Sequence, residues 1–355
     1  MQIQSIEAKK IKLELLQPVK IAIGTLSRSE TVIVRIVTDD GIVGCGEGSG
    51  VSFVTGETAD TIDGAVRVLA EALIGRDALG IDRIHRIMDR TLVHNTSAKA
   101  AIDIALHDIL GKAAKLPLHR LLGAVSGELE TDKTVGIGPP EQMVRDALEM
   151  VVLGFGQLKI KAGLDPDADI EAVRLIREAV GPQVRLKVDA NQGWSAKDAL
   201  RAVRAMAECG VEAVEQPVPQ WDTDGLALIR AQSPLDIMAD ESCFSPRDAA
   251  LLVKREAVDL INIKLMKCGG LHRAMQINAV AEASGVGCML GCMMESRIGI
   301  AAGAALVLSR PNFKYADLDS FMYFHEVPAI RGGFVFETPH IRLADGDGIG
   351  VEVDF

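Results

Sequence analysis

Apolar residues change their spacing as the chain is read. Residues 31–37, TVIVRIV, form a β-branched run, and Asp39-Asp40-Gly41 marks a turn before the next apolar run, IVGCGEG. The first 50 or so residues therefore read as strands. The interval then becomes three and four residues. Ile62, Ala65, Val66, Leu69 and Leu73 share one face over residues 58–74, and Ala101, Ile104, Ala105, Asp108, Ile109 and Ala113 do so over 97–122. That period predicts helices. Strands followed by helices predict an α+β domain over residues 1–125.

From residue 126 to 325 the texture is different. Short apolar runs recur roughly every 24 to 28 residues: KTVGI, LKIK, RLKVDA, VEAVEQ, DIMADE, LINIKL, GCMLGC and KYADLD. Each of the first seven is followed by a helix-like stretch such as DPDADIEAVRLIREAV. Eight strands with helices at this period predict an α/β fold, a TIM-type (β/α)8-like barrel in a modified (β/α)7β form. An open doubly wound sheet would show a glycine loop for phosphate after its first strand. The first strand here leads into GIGPPEQ instead. Residues 326–355 carry RGGF and DGDGIGVEV, a turn-rich, partly β tail expected to return to the N-terminal domain.

Composition narrows the function. Lys plus Arg number 38 and Asp plus Glu 49, giving a formal charge of −11, with only 4% aromatics. Such a chain is a poor partner for nucleic acid or an anionic membrane. No apolar run reaches the ~18 residues of a membrane span. The N-terminus lacks a signal peptide's unbroken apolar region, so a cytoplasmic location is expected. The six cysteines are scattered without a CxxC and read as free thiols, and the seven histidines form no HxxxH or HxH metal pattern. Gly44, Gly46, Gly48 and Gly50 precede no helix start and read as a mobile lid rather than a nucleotide loop. Asp345-Gly346-Asp347-Gly348 lacks the other EF-hand positions and reads as a turn.

Catalytic groups of such a barrel belong at the C-terminal ends of its strands. Lys159 and Lys161 end the second strand, Asp189 and Asn191 the third, Glu215 the fourth, Asp240 and Glu241 the fifth and Lys264 the sixth. The seventh leads into Cys292, Met294 and Glu295, and the eighth ends in Asp317-Leu318-Asp319. A side-chain period of two aims alternate residues the same way. Asp189, Glu215 and Asp240, from three neighbouring strands, would converge. Their mutual repulsion calls for a hard divalent cation, and three oxygens leave room for water and substrate on Mg²⁺. The flanking lysines either pair with this acidic cluster for structure alone or act as two amine bases facing each other.

These residues resemble the enolase superfamily, specifically its muconate-lactonising subgroup. The matching motifs are LKIK (158–161), DANQGW (189–194), VEQP (214–217), ADES (239–242) and INIKLMKCGG (261–270). Residues 98–123 resemble the last helical stretch of that family's capping domain, so the likeness spans nearly the whole chain. Within the subgroup, Asp317-Leu318-Asp319 resembles the element with which dipeptide epimerases hold the substrate's ammonium group. The resemblance implies Mg²⁺ on Asp189, Glu215 and Asp240, with Lys161 and Lys264 as acid and base. Lys159 would bind the carboxylate and support the catalytic lysine. Thr134, Cys292, Met294, Asp317 and Asp319 would touch the dipeptide. Asn191 and Glu241 stand behind them, and Glu295 is expected as a hydrogen-bond partner near Lys264. A homo-oligomer is expected.

The reaction so implied is a 1,1-proton transfer at the α-carbon of the C-terminal residue of a dipeptide, through an enediolate. A free lysine, pKa ~10.4, must fall to ~7–8 to serve as base. Metal and neighbouring lysines push it down while the acidic ligands oppose this. Muconate cycloisomerase, o-succinylbenzoate synthase and N-acylamino acid racemase share most motifs, but the first two act on acidic substrates that the aspartate pair would repel. A non-catalytic barrel would be expected to have lost a ligand or a lysine. Some relatives acting on acidic dipeptides carry arginine near residue 24, where this chain has Gly24. Some preferring cationic dipeptides carry an acid where Met294 stands. With Ile21, Ile23 and Phe53 in the capping loops, apolar dipeptide side chains are expected.

Overall fold

The computed structural model describes residues 1–22 and 24–355. Ile23 and the side chain of Ile21, both named above, lie outside the described residues. An antiparallel sheet of Ile3–Leu13, Ser29–Thr38 and Val43–Gly48 opens the chain. A small hairpin, Val19–Ile21 with Gly24–Leu26, falls between the first two of these strands in the chain. Helices Ala59–Leu73, Ile81–Thr91 and Thr96–Ala114 follow. The pattern over 97–122 does not make one helix. Lys115 turns left-handed (φ 55°), and Pro117 cannot donate the next helical hydrogen bond. A separate turn of helix covers Leu118–Leu121.

The glycine-rich run is not a lid. Gly44, Gly46 and Gly48 are buried within strand Val43–Gly48, which packs on helix Thr96–Ala114. A Cβ at these positions would collide with the backbone carbonyls of Ala105, Ala101 and Ser97. Glycine is used here for close backbone approach.

The second unit is a nearly closed barrel of eight parallel strands in sequential order. They are β1 (Lys133–Val135), β2 (Gln157–Lys161), β3 (Arg185–Asp189), β4 (Val211–Glu215), β5 (Asp236–Ala239), β6 (Leu260–Lys264), β7 (Gly287–Gly291) and β8 (Phe313–Asp317). A helix follows each of β1 to β7, and only a 3-10 turn, Ser320–Met322, follows β8. Helix starts are written locally. Asp165-Pro166 and Ser245-Pro246 place a capping oxygen and a proline where a helix begins. Along β3, Leu186 and Val188 join the helix-packed core, while Lys187 and Asp189 alternate with them. Ala213, Met238, Leu260, Met289 and Tyr315 form a separate apolar cluster of strand residues.

Strands β1 and β8 share no ladder among the described residues. The seam is closed by single bonds instead: Asp132 N–H to the Ala316 carbonyl (3.1 Å), Leu318 N–H to Thr131 Oγ1 (2.9 Å), and Thr134 N–H to Asp319 Oδ2 (2.9 Å).

Buried carboxylates bolt the N-terminal unit to the barrel. Glu47 accepts the backbone N–H of Ser296 (2.8 Å) and Gly299 (2.9 Å), capping helix Arg297–Leu308. Asp103 accepts from Leu271 N–H (2.5 Å) at the start of helix Leu271–Ala283, and pairs with His85 (2.6 Å). An anion at a helix N-terminus meets free N–H groups and a favourable dipole. Asp108 accepts from Cys45 and Ile349, both at 2.9 Å, tying in the tail. In that tail, Ile330–Gly332 pairs with Val351–Val353, and His340–Leu343 pairs with Glu128–Glu130. No described helix is long and apolar enough to cross a membrane.

Candidate active site

The polar strand ends meet at one mouth of the barrel. From β2, Lys159 is buried, and its Nζ lies 2.8 Å from Glu215, 3.0 Å from Asp189 and 2.8 Å from Asp317. One ammonium thus touches carboxylates from β3, β4 and β8. Lys161 Nζ sits 2.7 Å from Asp189 Oδ2 and donates to Asn191 Oδ1 at 3.2 Å. Across the barrel on β6, Lys264 Nζ lies 2.8 Å from Asp240 Oδ2. Asn262, two residues earlier on the same strand, donates to Glu215 Oε1 at 2.7 Å.

The backbone pays a conformational cost here. Asn191 (φ 40°), Gln192 (φ 69°) and Gln216 (φ 35°) are left-handed without being glycine, and such residues persist where surrounding contacts over-determine them. Asn191 donates to Glu241 Oε1 (3.2 Å) as well as accepting from Lys161. Gln216 Oε1 accepts the N–H of Asp240 (2.9 Å) and of Ser242 (3.1 Å), aiming the end of β5.

Charge is unevenly shared. Asp189 is held below the usual carboxylate range: burial works the other way, but Lys159 and Lys161 outweigh it. Asp240 is likewise held down against burial by Lys264 and Lys267. Burial and then Asp189 push Glu215 up to about 7, and burial and then Asp240 push Glu241 up to about 8. Burial would lower Lys264, but Asp240 outweighs it and raises it. The lowering expected of a catalytic base is therefore not found at Lys264 while Asp240 is its direct partner. Glu295 does not bond Lys264. Its carboxyl accepts the Met293 N–H (2.8 Å), and burial pushes it up to about 8.

Among the described residues, no three acidic, histidine or cysteine groups form a closed metal cage. Lysine ammonium groups stand between the carboxylates instead. The donor set nevertheless suits a hard cation: buried carboxylate oxygens alone, from the ends of β3, β4 and β5. Glu241 Oε2 is buried with no hydrogen-bond partner, an acceptor left without a donor.

The cavity beside these groups, about 100 Å³, has two characters. Lys159, Lys161, Lys264, Asp317, Asp319 and Thr134 line it on the polar side; Val19, Leu26, Val51, Val54, Met294 and Tyr323 supply apolar surface, and Cys292 also lines it. Burial raises the Cys292 thiol well above its ordinary value, so it stays a neutral contact. Phe53 packs over Gly24 rather than lining the cavity; any side chain at position 24 would meet its ring.

Sequence reasoning missed several residues here. Lys267 is fully buried, with Nζ 2.5 Å from Asp240 Oδ1 and 3.0 Å from the Asn262 carbonyl. Its signal was a lysine inside INIKLMKCGG. Asn262 was readable from its alternation with Lys264. Gln216 was quoted in VEQP but given no task. Lys133 and Tyr323 left no local signal.

Residues 5–123 match the mandelate racemase / muconate lactonizing enzyme N-terminal domain, and residues 142–355 match the enolase C-terminal domain-like family. A hydrophobic dipeptide epimerase of Enterococcus faecalis is 44% identical over 99% of both chains. An L-Ala-D/L-Glu epimerase of Bacillus subtilis is 41% identical over 99% of this chain and 97% of its own. The crystal structure of the dipeptide epimerase from E. faecalis, complexed with Mg and L-Leu-L-Tyr, superposes with a TM-score of 0.97 at 44% identity, covering 99% of this chain and 100% of that one. The chain belongs to the mandelate racemase / muconate lactonizing subgroup of the enolase superfamily and is a racemase/epimerase resembling the dipeptide epimerases.

Proposed function

We propose that this superfamily member epimerises dipeptides with apolar side chains, moving one proton at the α-carbon of the C-terminal residue. The observation that carries the proposal is the placement of Lys161 on β2 and Lys264 on β6. Three strands, β3 to β5, lie between them on one side, so they come from opposite walls. One amine takes the proton from one face of the α-carbon while the other, as ammonium, returns a proton to the opposite face. Inversion needs both, and the same pair serves either direction.

Asp189, Glu215 and Asp240 would hold Mg²⁺. When bound, that ion would supply positive charge to these carboxylates and to the charge growing on the substrate carboxylate. Lys159 adds a buried positive charge beside the same place and keeps Lys161 company on β2. Asn191 fixes Lys161, and Lys267 fixes Asp240. Glu241, which accepts from Asn191, adds to the polar wall beside them. At the other end, Asp317 and Asp319 would receive the ammonium group, beside Thr134.

Apolar surface from Val19, Leu26, Val51, Val54 and Met294 supports apolar substrate side chains, and the E. faecalis relative named for hydrophobic dipeptides points the same way. Cys292 adds a small neutral contact. The test is incubation of L-Leu-L-Tyr with protein and Mg²⁺ in D₂O. Deuterium at the C-terminal α-carbon together with the L,D diastereomer is expected. Failure of an apolar dipeptide panel to take up deuterium overturns the reading.

A further inference from the structure

Asp317 and Asp319 are two residues apart but are held differently. Asp317 gives Oδ2 to Lys159 Nζ at 2.8 Å. Asp319 gives Oδ2 to the Thr134 N–H at 2.9 Å and to the Tyr323 hydroxyl at 2.6 Å. That hydroxyl also lies 3.1 Å from the Thr134 carbonyl. It has one proton, and the shorter bond to a carboxylate is the stronger of the two. No hydrogen bond engages Asp319 Oδ1 among the described residues, and Asp319 lines the cavity.

A competing cation stands nearby. Lys133 Nζ is 3.5 Å from Asp319 Oδ2 and 3.4 Å from the centroid of the Tyr323 ring. It is buried without a hydrogen-bond partner. The ring face attracts an ammonium, so Lys133 is held between the Tyr323 ring and the carboxylate. Asp319 also ties the seam between β1 and β8, so its position depends on what holds its Oδ2.

Resting on the reading that Asp317 and Asp319 receive a free α-ammonium, we infer that Tyr323 is a positioning residue for substrate selection. Its hydroxyl fixes one oxygen of Asp319 and leaves the other for the substrate, and its ring shares the Lys133 ammonium with that carboxylate. The site thereby favours free dipeptides over N-acylated ones.

Y323F removes the hydroxyl and keeps the ring. KM for an apolar dipeptide is expected to rise about tenfold, the cost of a charge-assisted hydrogen bond, with kcat within about threefold. Preference over the N-acetyl derivative is expected to fall by a similar factor. Adding Y323F to D319N is expected to change KM little further, because Tyr323 acts through Asp319. Y323H, which keeps a ring and a donor, is expected to recover part of the loss and serves alone if Y323F does not fold. An unchanged KM in Y323F, a loss confined to kcat, full additivity with D319N, or a folded Y323H worse than Y323F overturns the inference. Wild-type protein is assayed first in D₂O. If it exchanges no dipeptide proton, the functional reading fails rather than this one.

Discussion

Lys161 on β2 holds Asp189 at 2.7 Å, and Lys264 on β6, four positions further around the barrel, holds Asp240 at 2.8 Å. The two amines are therefore anchored separately, one on each wall of the barrel.

K161A and K264A should each cut epimerisation by about 10² to 10⁴, the usual worth of a positioned acid or base. Their exchange behaviour should differ. One variant should still wash deuterium into the L,L substrate and the other into the L,D substrate, since each keeps the base for one face. Nuclear magnetic resonance on both diastereomers reads this directly, and equal exchange of both by either variant contradicts it.

Chelation should abolish activity, and Mg²⁺ should restore it. Because the ion would bind folded but not unfolded protein, saturating Mg²⁺ should also raise Tm; at 100 times Kd the gain is about 2.7 kcal/mol. D240N and E215Q should lose most of that rise. A thermal scan with and without Mg²⁺ separates this from loss of catalysis.

Asp103 should make stability depend on pH in two directions. Burial would raise its pKa, but His107 and His85 outweigh burial and hold it low. This contribution is present above the unfolded value of about 3.9 and disappears as pH falls through the folded one. His107 runs the opposite way. Burial would lower it, Asp103 raises it, and its contribution is full below about 6.5 and is lost as pH rises through the folded value. Denaturation midpoints across pH should show this pair's greatest benefit between about pH 4 and 6.5. D103N should flatten both limbs and also weaken the cap on helix Leu271–Ala283.

Gly46→Ala should destabilise by about 1–3 kcal/mol, the range for overpacking a close contact, because the added carbon meets the Ala101 carbonyl. Gly41→Ala removes a left-handed glycine with open space around it, so its cost is backbone strain alone. Limited proteolysis should spare residues 44–48; rapid cleavage there would restore the lid reading.

The barrel, its strand ends and the two opposed lysines were legible from the chain because each rests on local periodicity. An alternation of two aims Lys159 and Lys161 together whatever lies beyond the strand, and a repeated strand-helix spacing sets which strands are neighbours. Asp189, Glu215 and Asp240 followed from that order alone. Tertiary structure decided what local spacing cannot encode. Glu47 meets Ser296 across 249 residues of chain, Asp103 meets Leu271 across 168 and Tyr323 meets Thr134 across 189. The buried glycine strand looked like a loop because its meaning lies in the helix pressed on it. Hydrogen bonds and close packing act between surfaces, and only the folded chain brings those surfaces together.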